Sequence, residues 1–205
     1  MKTIKFFLLT GLLGLLLVSC VNSEVPSNQR VVQLFRAIPN RKLDVSSKQL
    51  MTRELYDVLA EAYLIPDDLP FYMGSSEFLC HFVEGNGGCC DLDPKIVVEN
   101  VKSIGRSLSV ADVNFMCMDC YNDVYESTHK LIIQKVDGTW VLADFDSKLE
   151  EVKAYIKEQR KIMKRDQVID NIRYDDLYSD FSLEEKTKMI QEYKSAVNDY
   201  FKMYP

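Results

Sequence analysis

The chain has 205 residues, of which 47% are hydrophobic, and its 31 acidic and 25 basic residues give a formal charge of −6. This length supports one domain with a substantial core, or one domain with an appendage. The acidic balance argues against nucleic acid as a partner, because that affinity comes from Lys and Arg neutralising phosphates. It argues equally against a body that adheres electrostatically to anionic lipid.

The first residues have the order of an export signal. Lys2 and Lys5 precede a nearly continuous apolar run from Phe6 to Val18, which is the pattern of a secretory signal. The run is shorter than the roughly 20 apolar residues that a membrane-spanning helix needs. We therefore predict that residues 1–19 form a signal peptide.

The end of this run, Leu17-Val18-Ser19-Cys20, resembles the lipobox of bacterial lipoproteins. In that family the signal is cut before the cysteine, whose sulfur then carries a diacylglycerol. The resemblance implies that Cys20 is lipidated and that its acyl chains anchor the protein to a membrane. Val21-Asn22-Ser23-Glu24 shows neither of the patterns that direct related lipoproteins to the inner membrane or the cell surface. This implies the periplasmic face of an outer membrane, with an ordinary signal peptide and a chance cysteine as the alternative.

The segment that follows is predicted to be a lipidated tether and lead-in, residues 20–45. Asn22 to Arg30 is polar and contains one proline, which is typical of a flexible linker. Residues 31–38 are mainly apolar and end before Pro39, and they fit either a short strand or a helical turn.

A clear amphipathic helix comes next. Ser46 or Ser47 offers an N-cap and Pro66 ends the pattern. Between them, apolar side chains recur at helical spacing: Met51, Leu55, Val58, Leu59 and Ala62. We expect this apolar stripe to lie on a sheet.

Strand patterns then alternate with turns as far as residue 146. The Asp137-Gly138 dipeptide is a strong hairpin signal, and residues 85–88 form a glycine-rich turn. Five segments have the composition of strands: residues 77–84, 95–101, 111–121, 125–136 and 140–145.

This order of helix, strands and a final Gly-Thr-Trp hairpin resembles the cone-shaped fold of nuclear transport factor 2-like proteins. The phrase from Lys135 to Asp144 looks like their last hairpin, and Asp68-Leu69-Pro70-Phe71 looks like a loop found in small lipoproteins with that fold. The resemblance implies an α+β domain over residues 46–146, in which the helix packs on a curved antiparallel sheet. It also implies a cone that often encloses a pocket, and dimerisation through the open sheet face.

Residues 147–205 differ in composition and are predicted to form a C-terminal helical hairpin. Ser147 and Ser182 each open a capping box, and Asp170 to Asp180 is predicted to be an acidic connector. The first helix has an apolar face with Leu149, Val152, Ile156 and Met163, and the second has one with Leu183, Ile190, Tyr193, Val197 and Tyr200. We expect these faces to meet each other or the sheet.

The first of these helices also has a basic face: Lys153, Lys157, Lys161, Lys164 and Arg165. Such a face is most often only a solvated surface. It also fits a docking face for an acidic partner, or a neighbour of the acidic connector.

Five cysteines remain once Cys20 is assigned to lipid, and an oxidising compartment favours disulfides among them. Because the number is odd, at least one thiol is free or paired with another chain. We expect one or two disulfides among Cys80, Cys89, Cys90, Cys117 and Cys120. A zinc site that joins the adjacent pair to the later two is an alternative, although neighbouring cysteines rarely ligate one ion. Redox catalysis by the later two is disfavoured, because strand positions three apart point to opposite faces.

No catalytic set is evident. His81 and His129 are the two histidines, and we expect each to be solvated or satisfied by hydrogen bonds rather than to activate a nucleophile. Asp144 and Asp146 precede a helix, where an acid favours the helix dipole. The sequence predicts no cofactor and no metal.

These patterns favour a non-enzymatic, lipid-anchored envelope protein that binds a protein partner or a small ligand. Some relatives of the resembled lipoproteins are immunity proteins against delivered toxins, although no motif here transfers that role. A hydrolase or isomerase acting in the cone pocket is one alternative, and a purely structural envelope lipoprotein is another. A homodimer through the sheet face is possible if the helical tail leaves that face open.

Overall fold

The computed structural model describes residues 25–38, 43–66, 95–118 and 124–205, with only the backbone at residues 117, 118 and 125. Helices and an antiparallel sheet occur together in these ranges, which confirms the predicted α+β class. The helices are α1 Asn28–Arg36, α2 Arg53–Tyr63, α3 Lys148–Lys164, α4 Gln167–Tyr174 and α5 Leu183–Met203. The strands are β1 Lys95–Ser103, β2 Leu108–Met118, β3 Val124–Val136 and β4 Thr139–Phe145.

The apolar segment that begins at residue 31 is part of a helix, so the strand alternative is wrong. Ser27 caps α1 by accepting a hydrogen bond from the Arg30 N–H at 3.2 Å. Val31, Leu34 and Phe35 are buried, and their spacing is the one by which a helix buries a single stripe. Because α1 begins inside the stretch predicted as a tether, part of that stretch belongs to the folded domain.

The second helix, α2, begins later than the serines that the sequence offers as caps. Its N-cap is Thr52, which accepts a hydrogen bond from the Leu55 N–H at 3.3 Å. Ser46 and Ser47 lie instead in a short 3-10 helix, Val45–Gln49. The prediction of a helix over this region is therefore confirmed, but its predicted start is wrong.

Pairing with β4 explains the late start. The Leu142 N–H donates to the Leu50 carbonyl at 2.8 Å, and the Thr52 N–H donates to the Leu142 carbonyl at 2.7 Å. A helix running through these residues would forgo both bonds and leave an edge of β4 unsatisfied. The chain therefore stays extended beside β4 before it turns into α2.

The four strands follow one another in the sheet in chain order, each antiparallel to the next. Asp137 and Gly138 close the last hairpin as predicted, with φ angles of 48° and 81°. Two positive φ angles are typical of the turn whose twist matches the flanking strands. The predicted strand at residues 77–84, its turn at 85–88 and the loop after α2 lie outside the described residues.

The inward face of the sheet is packed against the first two helices. The Phe35 ring of α1 lies 5.8 Å from the Phe115 ring of β2. Alternating residues of β2 and β3 are buried on this face: Ala111, Val113, Phe115, Leu131 and Ile133. These buried side chains form one core with those of the helices.

The outward face of the sheet carries both polar and apolar exposed side chains within the described ranges. Glu126, Thr128 and Lys130 point to solvent along β3. The Thr128 hydroxyl donates to the Asn114 side chain at 2.6 Å, and that amide donates to Glu99 on β1. The helical tail does not cover these residues, so the possibility that it masks this face is wrong here. Dimerisation through the face stays a prediction.

Ser147 does not cap α3, so the first predicted capping box is wrong. Its φ is +60° and its side chain makes no capping hydrogen bond, whereas an N-cap residue has an extended backbone. Asp144 replaces it by accepting hydrogen bonds from the N–H groups of Phe145 and Leu149, at 2.8 and 3.0 Å. The chain reverses between them through two left-handed residues, Asp146 and Ser147.

The tail contains three α-helices rather than the predicted hairpin of two. The additional helix, α4, occupies the first half of the segment predicted to be an acidic connector. It buries Ile169 and Ile172, which charged neighbours obscure in the sequence. No helix in the described ranges is both long enough and apolar enough to cross a membrane.

The last helix, α5, follows the prediction more closely. Ser182 and Glu185 form a complete capping box at its start. Tyr193 and Tyr200 are buried as expected, but Leu183 is 83% exposed and does not join the apolar stripe. A residue in the first turn of a helix can lie beyond the contact surface even when its spacing fits the stripe.

We expect Leu59→Ala to lower the free energy of unfolding by about 2–5 kcal/mol, because truncating a fully buried leucine leaves a cavity. Leu59 has no exposed surface in the core between α2 and the sheet. Urea denaturation measures the change. Leu183→Ala is the matched control and should lie within about 0.5 kcal/mol of the unaltered protein. Equal losses in the two variants would contradict this core.

Candidate functional site

A groove of about 540 Å³ runs between α2 and α3. Val58 and Glu61 line it from α2, and Ile156 lines it from α3. The rest of its lining consists of five cations: Lys153, Lys157, Arg160, Lys161 and Lys164. These eight residues are called the basic groove below. The lining has five positively charged side chains and one carboxylate. The groove lining is therefore basic, although the chain as a whole is acidic.

The spacing of the lysines along α3 produces this arrangement. Lys153, Lys157, Lys161 and Lys164 follow one another at intervals of four, four and three residues, which places them along one side of a helix. They extend over about 16 Å of helix at about 1.5 Å per residue. The adjoining stripe of α3 is buried, including Val152, and this holds the basic side at the surface.

A cluster of three side chains closes the groove at α5. The Arg160 guanidinium lies 2.6 Å from Glu61 Oε1, and the Tyr200 hydroxyl donates to the same oxygen at 2.6 Å. The Arg160 Nε–H also donates to the Tyr200 oxygen at 3.1 Å. Burial and the hydrogen bond to Glu61 raise the pKa of Tyr200 above its ordinary value, so the hydroxyl stays protonated and donates. Glu61 is thereby neutralised within the structure.

Two of the lysines have carboxylate partners at the rim of the groove. Lys153 Nζ lies 2.7 Å from both Glu54 and Glu150, and Lys161 Nζ lies 2.7 Å from Glu158. These pairs are solvent-exposed, and such pairs typically contribute only about 0.2–1 kcal/mol each. An incoming anion can therefore compete for these lysines at little cost.

The other two lysines lack a carboxylate partner among the described residues. Lys157 and Lys164 are exposed, and no described ion pair includes either one. Lys164 Nζ lies 5.7 Å from the centre of the Phe201 ring, a cation–π contact in which the lysine stays exposed. These two ammonium groups are the ones most available to an anionic ligand.

The residues that line the groove differ from those predicted for the basic face, and their described ion pairs are local to two helices. Arg165 is the C-cap of α3 and does not line the groove, whereas Arg160, which was not assigned to the face, does. The described ion pairs of the groove join it to α2 and to α3 itself. No described ion pair joins the groove to the acidic connector of the same chain, and their proximity stays a prediction.

A second polar cluster lies on the inward face of the sheet. His129 is 7% exposed, and its ring lies 5.3 Å from the Phe35 ring. Its Nδ1 lies 2.7 Å from Asp146 Oδ2, and its Nε2 lies 2.8 Å from the Ser127 hydroxyl. The other Asp146 oxygen accepts the Lys130 N–H at 2.7 Å. The expectation that His129 is satisfied by hydrogen bonds is confirmed, while His81 lies outside the described residues.

This cluster joins the end of β4 to β3. Burial alone would raise the pKa of Asp146, but the hydrogen bonds from His129 and the Lys130 N–H, with nearby positive charge, lower it below its ordinary value. An ionised Asp146 accepts a hydrogen bond from His129 Nδ1–H, and the Ser127 hydroxyl contacts Nε2 on the other side of the ring. Serine, histidine and aspartate also occur in this order in hydrolases. Here Phe35 packs on the imidazole, and His129 lines neither the basic groove nor two further grooves.

The cysteine predictions cannot be compared with side-chain positions. Cys20 and four other cysteines lie outside the described residues: Cys80, Cys89, Cys90 and Cys120. Cys117 lies in β2, where only its backbone is described. Lipidation and the disulfides therefore stay predictions. In the described ranges no group of three or more His, Cys, Asp or Glu residues is placed to hold a metal ion.

No family model and no curated protein matches the chain. Solved structures that match include an NTF-2-like protein of unknown function from Shewanella oneidensis, with 13% identity over 57% of this chain and 98% of that one, at a TM-score of 0.28. Another, from Xanthomonas campestris, is described as a calcium/calmodulin-dependent protein kinase II association domain. It has 14% identity over 58% of this chain and 85% of that one, at a TM-score of 0.26.

TM-scores this low do not show that the chain shares the fold of either structure. Its α+β class rests on its own four-stranded antiparallel sheet and its helices. The finer assignment to the nuclear transport factor 2-like fold stays a prediction, and the function of the neighbours does not transfer.

We expect Asp146→Asn to lower the free energy of unfolding at about pH 7 by roughly 1–3 kcal/mol. The amide keeps one oxygen, so one of the two hydrogen bonds to His129 and the Lys130 N–H is lost in a half-buried site. Urea denaturation of the purified protein measures the difference.

The difference in the free energy of unfolding between Asp146→Asn and the unaltered protein should depend on pH. The folded state lowers the pKa of Asp146, so the stability from its carboxylate is fully present above the unfolded pKa of about 3.9. It is lost as the pH falls through the lower, folded-state value. The deficit of Asp146→Asn should therefore shrink below about pH 4. The exposed control Asp170→Asn should show little deficit at either pH, and a pH-independent deficit at Asp146 would contradict the assignment.

Proposed function

We propose that this chain is a lipid-anchored protein of the bacterial envelope that acts by binding, and that its basic groove holds an acidic segment of a protein partner. The observation that carries the proposal is a row of four lysines along one side of α3, of which Lys157 and Lys164 form no ion pair among the described residues. In an acidic chain, such a local reversal of charge directs an anionic partner to one place.

The groove fits a peptide segment better than a lone ion. Val58 and Ile156 provide an apolar floor, on which a bound segment can lay an aliphatic side chain. Lys157 and Lys164 lie about 10 Å apart along the axis of α3, given a rise of about 1.5 Å per residue. Carboxylates two turns apart on a helix span that distance on one side of the segment. On an extended segment, carboxylates four residues apart share a side at about 13 Å, which flexible lysine side chains can reach.

We favour binding over catalysis because of the packing around His129 on the inward face of the sheet. His129 and Asp146 are the acid–base pair that an enzyme in the cone would use, and Phe35 packs directly against the imidazole. The basic groove, in contrast, lies on the outside, between α2 and α3. The envelope location rests on the lipobox resemblance of Leu17 to Cys20.

An oligoglutamate peptide should bind the protein, and Lys157→Glu combined with Lys164→Glu should weaken that affinity about tenfold or more. Each reversal removes one attractive charge and adds a repulsive one, at roughly 0.2–1 kcal/mol for each exposed contact. Isothermal titration at two salt concentrations measures both the affinity and its screening.

The matched control for this titration is Lys188→Glu. Lys188 is an exposed lysine of α5 that does not line the groove. Its reversal changes the net charge of the chain by the same amount as Lys157→Glu alone. Affinity that falls as far in this control as in Lys157→Glu alone would show that net charge rather than the groove governs binding.

Cys20→Ser should leave the domain folded but release it from the membrane fraction, because the serine oxygen cannot carry the thioether-linked lipid of a lipoprotein. Cell fractionation with immunoblotting measures the distribution. Asn22→Ser, two positions later, is the control and should remain with the membrane. Membrane retention of Cys20→Ser would remove the support for the lipobox assignment.

A further inference from the structure

The turn between α4 and α5 concentrates negative charge on the surface. Residues 175–184, called the acidic turn below, contain four acidic residues and no Lys or Arg: Asp175, Asp176, Asp180 and Glu184. All four are exposed. Asp175 accepts the Leu177 N–H at 3.0 Å, while the other three carboxylates have no ion partner among the described residues.

The acidic turn is held in shape by the helices on either side. Tyr178 is 3% exposed and packs with Ile172 of α4 and Met189 of α5 in a small core of its own. The capping box at Ser182 fixes the point where α5 begins. Because the turn is already ordered, a partner that binds it pays little entropy for ordering the chain.

An exposed apolar side chain accompanies these charges. Leu177 is 66% exposed and lies beside Asp176 in the short 3-10 helix Asp176–Tyr178. The turn therefore presents an aliphatic group next to free carboxylates. This is the chemistry that the basic groove recognises, with Val58 and Ile156 for the aliphatic group and Lys157 and Lys164 for the carboxylates.

The turn does not fill the groove of its own chain. The described ion pairs of the groove are made with Glu54, Glu61, Glu150 and Glu158. Two complementary surfaces on one chain that do not meet within it can meet between two copies. Copies tethered to the same membrane by lipid are confined to a surface, which raises their effective concentration for such a contact.

We propose that the acidic segment bound in the basic groove is the acidic turn of a second copy of this chain. This inference rests on the proposed binding role of the groove and names its partner. Leu177 of one copy contacts Val58 and Ile156 of the other, while Asp176 and Asp180 face Lys157 and Lys164. The contact is distinct from a dimer through the outward face of the sheet, because it uses neither β-strand edges nor that face.

Photo-crosslinking of the full chain in membranes tests the contact. A benzoylphenylalanine at position 177 should give a species of twice the monomer mass, and mass spectrometry should place the crosslink in α2 or α3. Lys157→Glu with Lys164→Glu should reduce its yield at least fivefold, and Lys188→Glu should leave the yield unchanged. Thermal unfolding of each variant shows that the reduced yield is not a loss of fold.

Two further variants separate a contact between copies from a general charge effect. Asp176→Lys with Asp180→Lys should also reduce the yield, and combining it with the reversed groove in one chain should restore it. A crosslinker-bearing chain with a reversed groove should still crosslink to a co-expressed chain whose groove is intact. Failure of both restorations would overturn the proposal.

The remaining outcomes distinguish this inference from the proposed function. A crosslink to a different protein that depends on the groove, or monomers alone with oligoglutamate binding intact, would overturn self-association and leave the binding role of the groove in place. Monomers alone with no oligoglutamate binding would overturn both.

Discussion

The cluster of Glu61, Arg160 and Tyr200 is the contact on which the functional surface depends. It joins α2, α3 and α5 through one carboxylate oxygen, and so fixes the width of the groove between the first two. It also removes the negative charge that would otherwise oppose the lysines. Loss of either charged partner would leave the other partly buried without compensation, which costs more than an exposed pair contributes.

Two neighbouring acids connect this surface to the sheet. Asp144 caps α3 and thereby sets the direction in which the basic helix leaves β4. Asp146 fastens the same corner to β3 through His129 and the Lys130 N–H. The two carboxylates are two residues apart and perform separate tasks: Asp144 precedes the reversal of the chain, and Asp146 is the first of the two left-handed residues that make it. His129, which the sequence predicted to be solvated or satisfied by hydrogen bonds, thus helps to hold the corner from which α3 leaves β4.

The distribution of charge is the basis of the binding function that we propose. The chain is acidic overall, yet α3 presents a basic side and the turn before α5 presents free carboxylates beside an exposed leucine. Opposite surfaces of this kind associate weakly in dilute solution, because each exposed ion pair contributes little. Confinement by a lipid on Cys20 would raise the effective concentration and favour assembly at the membrane. Anchor, groove and acidic turn then serve a single activity.

The sequence alone predicted the features that short stretches determine: the α+β class, the Asp137-Gly138 hairpin, the capping box of α5 and the alignment of the α3 lysines. Local spacing and backbone preference are sufficient for these. The tertiary structure alone decided where α2 starts, how α3 is capped and that α4 exists. It also brought Glu61 to Arg160, which lies 99 residues away in the chain. The cap of α3 is local, but it depends on the left-handed backbone of Ser147, which the residue type does not predict. The start of α2 and the contact of Glu61 with Arg160 depend on pairing between distant segments, and no periodicity or motif in the sequence encodes such pairing directly.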